Sequence, residues 1–86
     1  MHVIRFSPRG ERELADFPRD VQQRFQKKLR WFASQEKPLT FAKPLADLPP
    51  ATHRFQVGKY RISFYIADKT IFVERVEIRG GAYKRR

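Results

Sequence analysis

The chain has no cysteine, so it can carry no disulfide, no thiolate nucleophile and no zinc ribbon. Histidine is almost as scarce: His2 and His53 are the whole supply, too few for a dedicated metal site. The four glycines, Gly10, Gly58, Gly80 and Gly81, are not grouped into a loop that cradles phosphates. No apolar run approaches the ~20 residues needed to cross a bilayer, and no signal peptide opens the chain. Acidic residues number only nine and are scattered, with no carboxylate cluster to hold a metal ion. Nothing marks a serine triad built on His53 either. These absences predict a cytoplasmic protein with no metal, no cofactor and no membrane partner.

What remains is a short, aromatic and strongly basic chain. Its 86 residues suit a single domain over 1–86, and a chain of this size buries only roughly 60–65% of its unfolded surface. Eight phenylalanines supply a core and argue against disorder, although 33% of residues are charged. Nineteen Lys and Arg against nine Asp and Glu leave a net charge of +10. The last 36 residues hold nine basic and three acidic groups, so the excess is densest towards the C-terminus, at +6. Such a domain repels itself, and a polyanionic partner, nucleic acid foremost, is the expected counterweight.

Along the chain, His2–Phe6 is short and β-prone and reads as a strand. Ser7-Pro8 is a helix entry, with Ser as N-cap and Pro in the first turn, opening a short helix that carries Leu14 and Phe17. Pro18 opens a second helix whose stripe is Val21, Phe25, Leu29 and Phe32, and the two helices are expected to form an antiparallel hairpin. Lys27, Lys28 and Arg30 read as its solvated face. Lys37–Pro50 holds four of the six prolines, none expected inside a regular element. That stretch is expected to be an irregular connection tacked to the core by Leu39, Phe41, Leu45 and Leu48. Strands then follow over Thr52–Val57, Tyr60–Ala67 and Thr70–Ile78, joined by two-residue turns at Gly58-Lys59 and Asp68-Lys69. The class is α+β: a strand, a helix hairpin, then an antiparallel meander covered on one face.

Strand parity separates the two faces of that meander. Phe55, Val57, Ile62, Phe64, Ile66, Phe72, Val76 and Ile78 form a core wall in which Glu74 is the one misfit. Arg54, Gln56, Arg61, Ser63, Tyr65, Arg75, Glu77 and Arg79 form the other face, with four arginines in eight positions. Arginine is the residue suited to forked hydrogen bonds with phosphate. With no metal and no protein nucleophile, the chemistry open to such a face is cleavage of RNA, whose 2′-hydroxyl attacks its own neighbouring phosphate. The protein then has to orient the chain, stabilise charge and move protons.

The run Arg54-Phe55-Gln56-Val57-Gly58-Lys59-Tyr60-Arg61-Ile62, followed by Arg75-Val76 and Arg79 to Tyr83, resembles the RelE/ParE toxin superfamily over essentially the whole chain. The resemblance implies a type II toxin–antitoxin toxin with the RelE-like fold. It favours the RelE branch, which cleaves messenger RNA at the ribosome to leave a 2′,3′-cyclic phosphate and is neutralised by a cognate antitoxin. By that resemblance Arg61 stabilises the phosphate in the transition state, Arg79 assists the leaving oxygen, and Tyr83 stacks on or orients the substrate. Arg54 falls where the first of two strand lysines is expected. Gln56 falls near the second, a proton acceptor, which glutamine cannot be. With Gln56 there, Tyr83 is left to accept the proton, its phenolate favoured by the surrounding arginines. Gln56, Arg75, Lys84 and Arg85 are expected to join Arg54 in binding RNA, Lys84-Arg85-Arg86 forming a loose basic tail. Two other readings stay open: a ParE-type inhibitor of DNA gyrase, and a toxin-fold protein that binds its antitoxin without activity.

Overall fold

The computed structural model describes residues 1–78. Its order is β1 (Val3–Phe6), α1 (Pro8–Ala15), α2 (Arg19–Ala33), a 3-10 turn (Pro38–Phe41), β2 (Lys43–Pro44), β3 (His53–Val57), β4 (Tyr60–Ala67) and β5 (Thr70–Ile78). The expected strand, two helices and antiparallel strands are all present.

Local sequence accounts for each boundary. The Ser7 side chain accepts the Gly10 N–H at 2.9 Å, with Pro8 in the first turn, so α1 starts where an orphan donor finds a cap. Pro18 separates the helices and cannot continue the first. In α2, Val21, Phe25, Leu29 and Phe32 are all buried, as their spacing predicts. Gly58 takes a positive φ of 59° at the β3–β4 turn. The β4–β5 turn holds Asp68 and Lys69 at φ of 51° and 60°, the double left-handed geometry of a tight hairpin turn.

The strands make one five-stranded sheet in the order β1-β5-β4-β3-β2. Neighbours are antiparallel except β1, which runs parallel to β5 with Val3 opposite Thr70 and Phe6 opposite Val73. The helices cover one face. Phe32 meets Phe55 and Phe64 with ring centroids 3.9 and 5.3 Å apart, and Phe25 meets Tyr60 at 5.3 Å. Phe55, Ile62, Phe64 and Val76 are buried in one cluster with Leu14, Phe25, Leu29 and Phe32.

Three expectations are corrected. Phe72 does not belong to the core wall: it stacks on Tyr65 across the β4–β5 pair at 4.9 Å, while Ile71 and Val73 are fully buried. The cause is a register shift. Ser63 faces Arg75 and Phe64 faces Val73, so Glu74 is the extra residue of a bulge and parity inverts there. Leu39 and Phe41 are not tacked to the core but are 43% and 47% exposed; half-buried Ala42 packs against it instead. Two prolines do sit in regular elements: Pro38 opens the 3-10 turn, and Pro44 ends β2, an edge strand where a missing N–H is tolerated.

Candidate nucleic-acid interface

The face of the sheet away from the helices is organised in rows set by strand register. Lys43, Arg54, Ser63 and Arg75 lie opposite one another in turn across β2, β3, β4 and β5. The next row is Gln56, Arg61 and Glu77. The structure therefore brings Arg54, Gln56, Arg61 and Arg75 together on one face. The other residues singled out by sequence, Arg79, Tyr83, Lys84 and Arg85, lie outside the described residues.

The arginines are not equivalent. Arg75 is held between two carboxylates: its Nε donates to Glu13 at 3.0 Å and its Nη2 to Glu77 at 2.9 Å. The other Glu13 oxygen accepts the Val76 N–H at 2.8 Å, so Arg75 is locked into the joint between α1 and β5. Arg54 and Arg61 are half-buried and have no carboxylate partner among the described residues. The Arg61 Nε is buried and donates to nothing among those residues. A buried donor left unpaired costs about 1–3 kcal/mol, which any acceptor oxygen reaching it would offset.

Gln56 is turned to a structural task. Its amide donates to the Gly58 carbonyl at 3.0 Å, bracing the turn that carries the chain into Tyr60 and Arg61. His53, beside Arg54, shares a hydrogen bond of 2.9 Å with the Thr52 hydroxyl, consistent with a polar strand-edge residue.

The structure adds two residues that sequence reasoning missed. Lys43 lies directly opposite Arg54, and with Phe41, Arg54 and Gln56 it lines a cleft of about 300 Å³. Both come from the proline-broken connection, where no periodicity assigns a face; only the pairing of a two-residue edge strand places Lys43. Among the described residues no group of His, Asp or Glu side chains converges as a metal site requires.

No family model matches the chain, and no curated protein matches its sequence. Solved structures do. The toxin–antitoxin complex RelBE2 from Mycobacterium tuberculosis contains a chain 28% identical, with a TM-score of 0.77 over 91% of this chain and 98% of that one. The archaeal RelE–RelB complex from Pyrococcus horikoshii OT3 matches at 20% identity and a TM-score of 0.72 over 94% and 98%. The isolated E. coli RelE toxin matches at 19% and 0.71 over 100% and 88%. The fold is RelE-like. In this RelE-like frame the helices back the sheet, and Arg54 and Arg61 stand on its other face without an ion-pair partner among the described residues. No helix among the described residues is long and apolar enough to cross a membrane.

Proposed function

We propose that this protein is the toxin of a type II toxin–antitoxin pair and acts as a metal-independent endoribonuclease on messenger RNA, at the ribosome. The observation that carries the reading is Arg61: half-buried, its Nε unpaired among the described residues, and one row from Arg54 and Lys43 on the open face of a RelE-like sheet. A phosphate seated at Arg61 lies one row from Arg54, which itself stands directly opposite Lys43. The RNA supplies the nucleophile. Its 2′-oxygen bonds to phosphorus, the bond to the next nucleotide's 5′-oxygen breaks, and a 2′,3′-cyclic phosphate remains. Arg61 and Arg54 stabilise the extra negative charge of the pentavalent transition state, the electrostatic contribution that usually dominates such reactions. Gln56 takes no proton in this scheme; that role falls to Tyr83, with Arg79 assisting the leaving oxygen.

The partner is a cognate antitoxin, as in the RelE–RelB complexes the fold resembles, and an acidic segment that folds on binding offsets the +10 charge. One observation favours a second reading. Gln56 occupies the proton acceptor's expected place and is engaged with the Gly58 carbonyl, which suits a ParE-type gyrase inhibitor that cleaves nothing. Induced expression with RNA end-mapping, run beside a plasmid-supercoiling assay, separates the two. New 3′ ends in messenger RNA with unchanged supercoiling are expected. Altered supercoiling without new ends moves gyrase into first place.

A further inference from the structure

The Lys43–Arg54 pair stands at the edge of the sheet. Two like charges stand directly opposite each other in the register, an arrangement that destabilises a sheet. Neither has an ion-pair partner among the described residues. β2 is only two residues long, so this like-charged pair is one of its two register pairs with β3. An anion between the two side chains removes that repulsion.

The cleft they line is completed by an aromatic ring and an amide, Phe41 and Gln56. Phe41 is 47% exposed and packs edge-on against Trp31, itself 41% exposed, with ring centroids 5.0 Å apart. Lys28 Nζ lies over the Trp31 ring, 4.9 Å from its centroid, and helps hold it in place. A paired cation set and an exposed aromatic ring lining one cleft is the chemistry that receives one nucleotide of single-stranded RNA: phosphate on the cations, base on the ring.

We infer that the Phe41–Lys43–Arg54–Gln56 cleft is a nucleotide subsite for a unit flanking the phosphate at Arg61, with Lys43 and Phe41 as its binding residues. This rests on the endoribonuclease reading for its substrate class, but its test does not depend on cleavage. Trp31 is the only tryptophan of the chain and touches Phe41, so its emission reports occupancy of the cleft. The probe is a 2′-O-methyl hexaribonucleotide, which binds but cannot attack its own phosphate. Titration into the full-length protein is expected to change Trp31 emission saturably. Phe41→Ala is expected to weaken binding roughly five- to 150-fold, the usual range for one base–aromatic stack. Lys43→Ser is expected to weaken it several-fold and to lower the salt dependence by about one contact. Lys69→Gly, which removes the same charge from the turn at the opposite end of β4, is expected to leave binding unchanged; circular dichroism checks that each variant is folded. An abasic 2′-O-methyl oligomer that binds as tightly as the base-bearing one overturns the subsite. So does an acidic peptide that changes the emission equally well, since the cleft is then a protein-binding site. Wild-type protein that binds the probe in this way yet cleaves no RNA refutes the nuclease reading and leaves the subsite standing. Cleavage that survives in Phe41→Ala with unchanged probe affinity does the reverse.

Discussion

At the scale of single residues, the open face divides its arginines by their partners. Arg75 spends its guanidinium on Glu13 and Glu77, whereas Arg54 and Arg61 keep theirs free among the described residues. Arg61→Ala is therefore expected to cut RNA cleavage by ~10²–10³, because it removes charge stabilisation from the transition state. A loss that appears in the single-turnover rate, with binding of an uncleavable RNA weakened far less, supports that role. Arg75→Ala is expected to do the opposite: RNA affinity stays within about twofold, and stability falls because Glu77 loses its cation and Glu13 is left with Arg9 alone, at 3.4 Å. Thermal unfolding beside an RNA titration checks both halves. An Arg75 variant that loses RNA affinity while keeping its melting temperature would restore the direct RNA contact that the sequence suggests.

At the scale of elements, the joint between α1 and β5 is where the fold is most constrained. Three α1-side groups meet the bulge: the Ser7 hydroxyl donates to the Glu74 carbonyl at 3.1 Å, Glu13 accepts from Val76, and Gly10 lies against Val73. A Cβ on Gly10 would sit 2.8 Å from the Val73 carbonyl oxygen, a backbone atom that cannot step aside. Gly10→Ala is thus expected to destabilise by about 1–3 kcal/mol despite a gain in helix propensity, a loss of several degrees in melting temperature for a domain this size. The far hairpin predicts the opposite sign. Lys69 holds a φ of 60° that costs a side-chain-bearing residue about 1–2 kcal/mol, so Lys69→Gly is expected to raise stability by about 1 kcal/mol in urea unfolding. These elements also show what was legible in advance. Capping at Ser7-Pro8, the stripe of α2 and the strand–turn rhythm from His53 onward follow from local chemistry, and the structure matches them. The bulge was visible only as Glu74, a charge in an apolar row, because parity assumes an unbroken ladder and cannot place an inserted residue. Lys43 and Phe41 were illegible for a different reason: their positions depend on tertiary pairing in a segment without periodicity.

At the scale of the whole molecule, the question is how much of the +10 charge acts at one place. Around the cleft and Arg61 the open face offers three cations without an ion pair among the described residues, Lys43, Arg54 and Arg61, with Arg75 already paired and Arg5 standing apart on β1. Binding of single-stranded RNA releases about 0.7 counterion per phosphate contact, so these three account for a slope of about −2 in log affinity against log salt. Any contact that Arg79 or Lys84-Arg85-Arg86, outside the described residues, makes with the RNA would steepen it further. A 2′-O-methyl RNA titrated at several salt concentrations is expected to give a slope of about −2 or steeper. Arg54→Ala is expected to reduce its magnitude by about 0.7, and Arg75→Ala to leave it unchanged. A slope near zero in the wild-type protein would mean that the charge does not track an RNA backbone, and the uncompensated arginines would then need a protein anion as their partner. That outcome would favour the gyrase-binding reading over the nuclease. A steep slope that Arg54→Ala leaves unmoved would instead place the RNA on the basic surface of α2, around Arg24, Lys27 and Lys28, and away from the sheet.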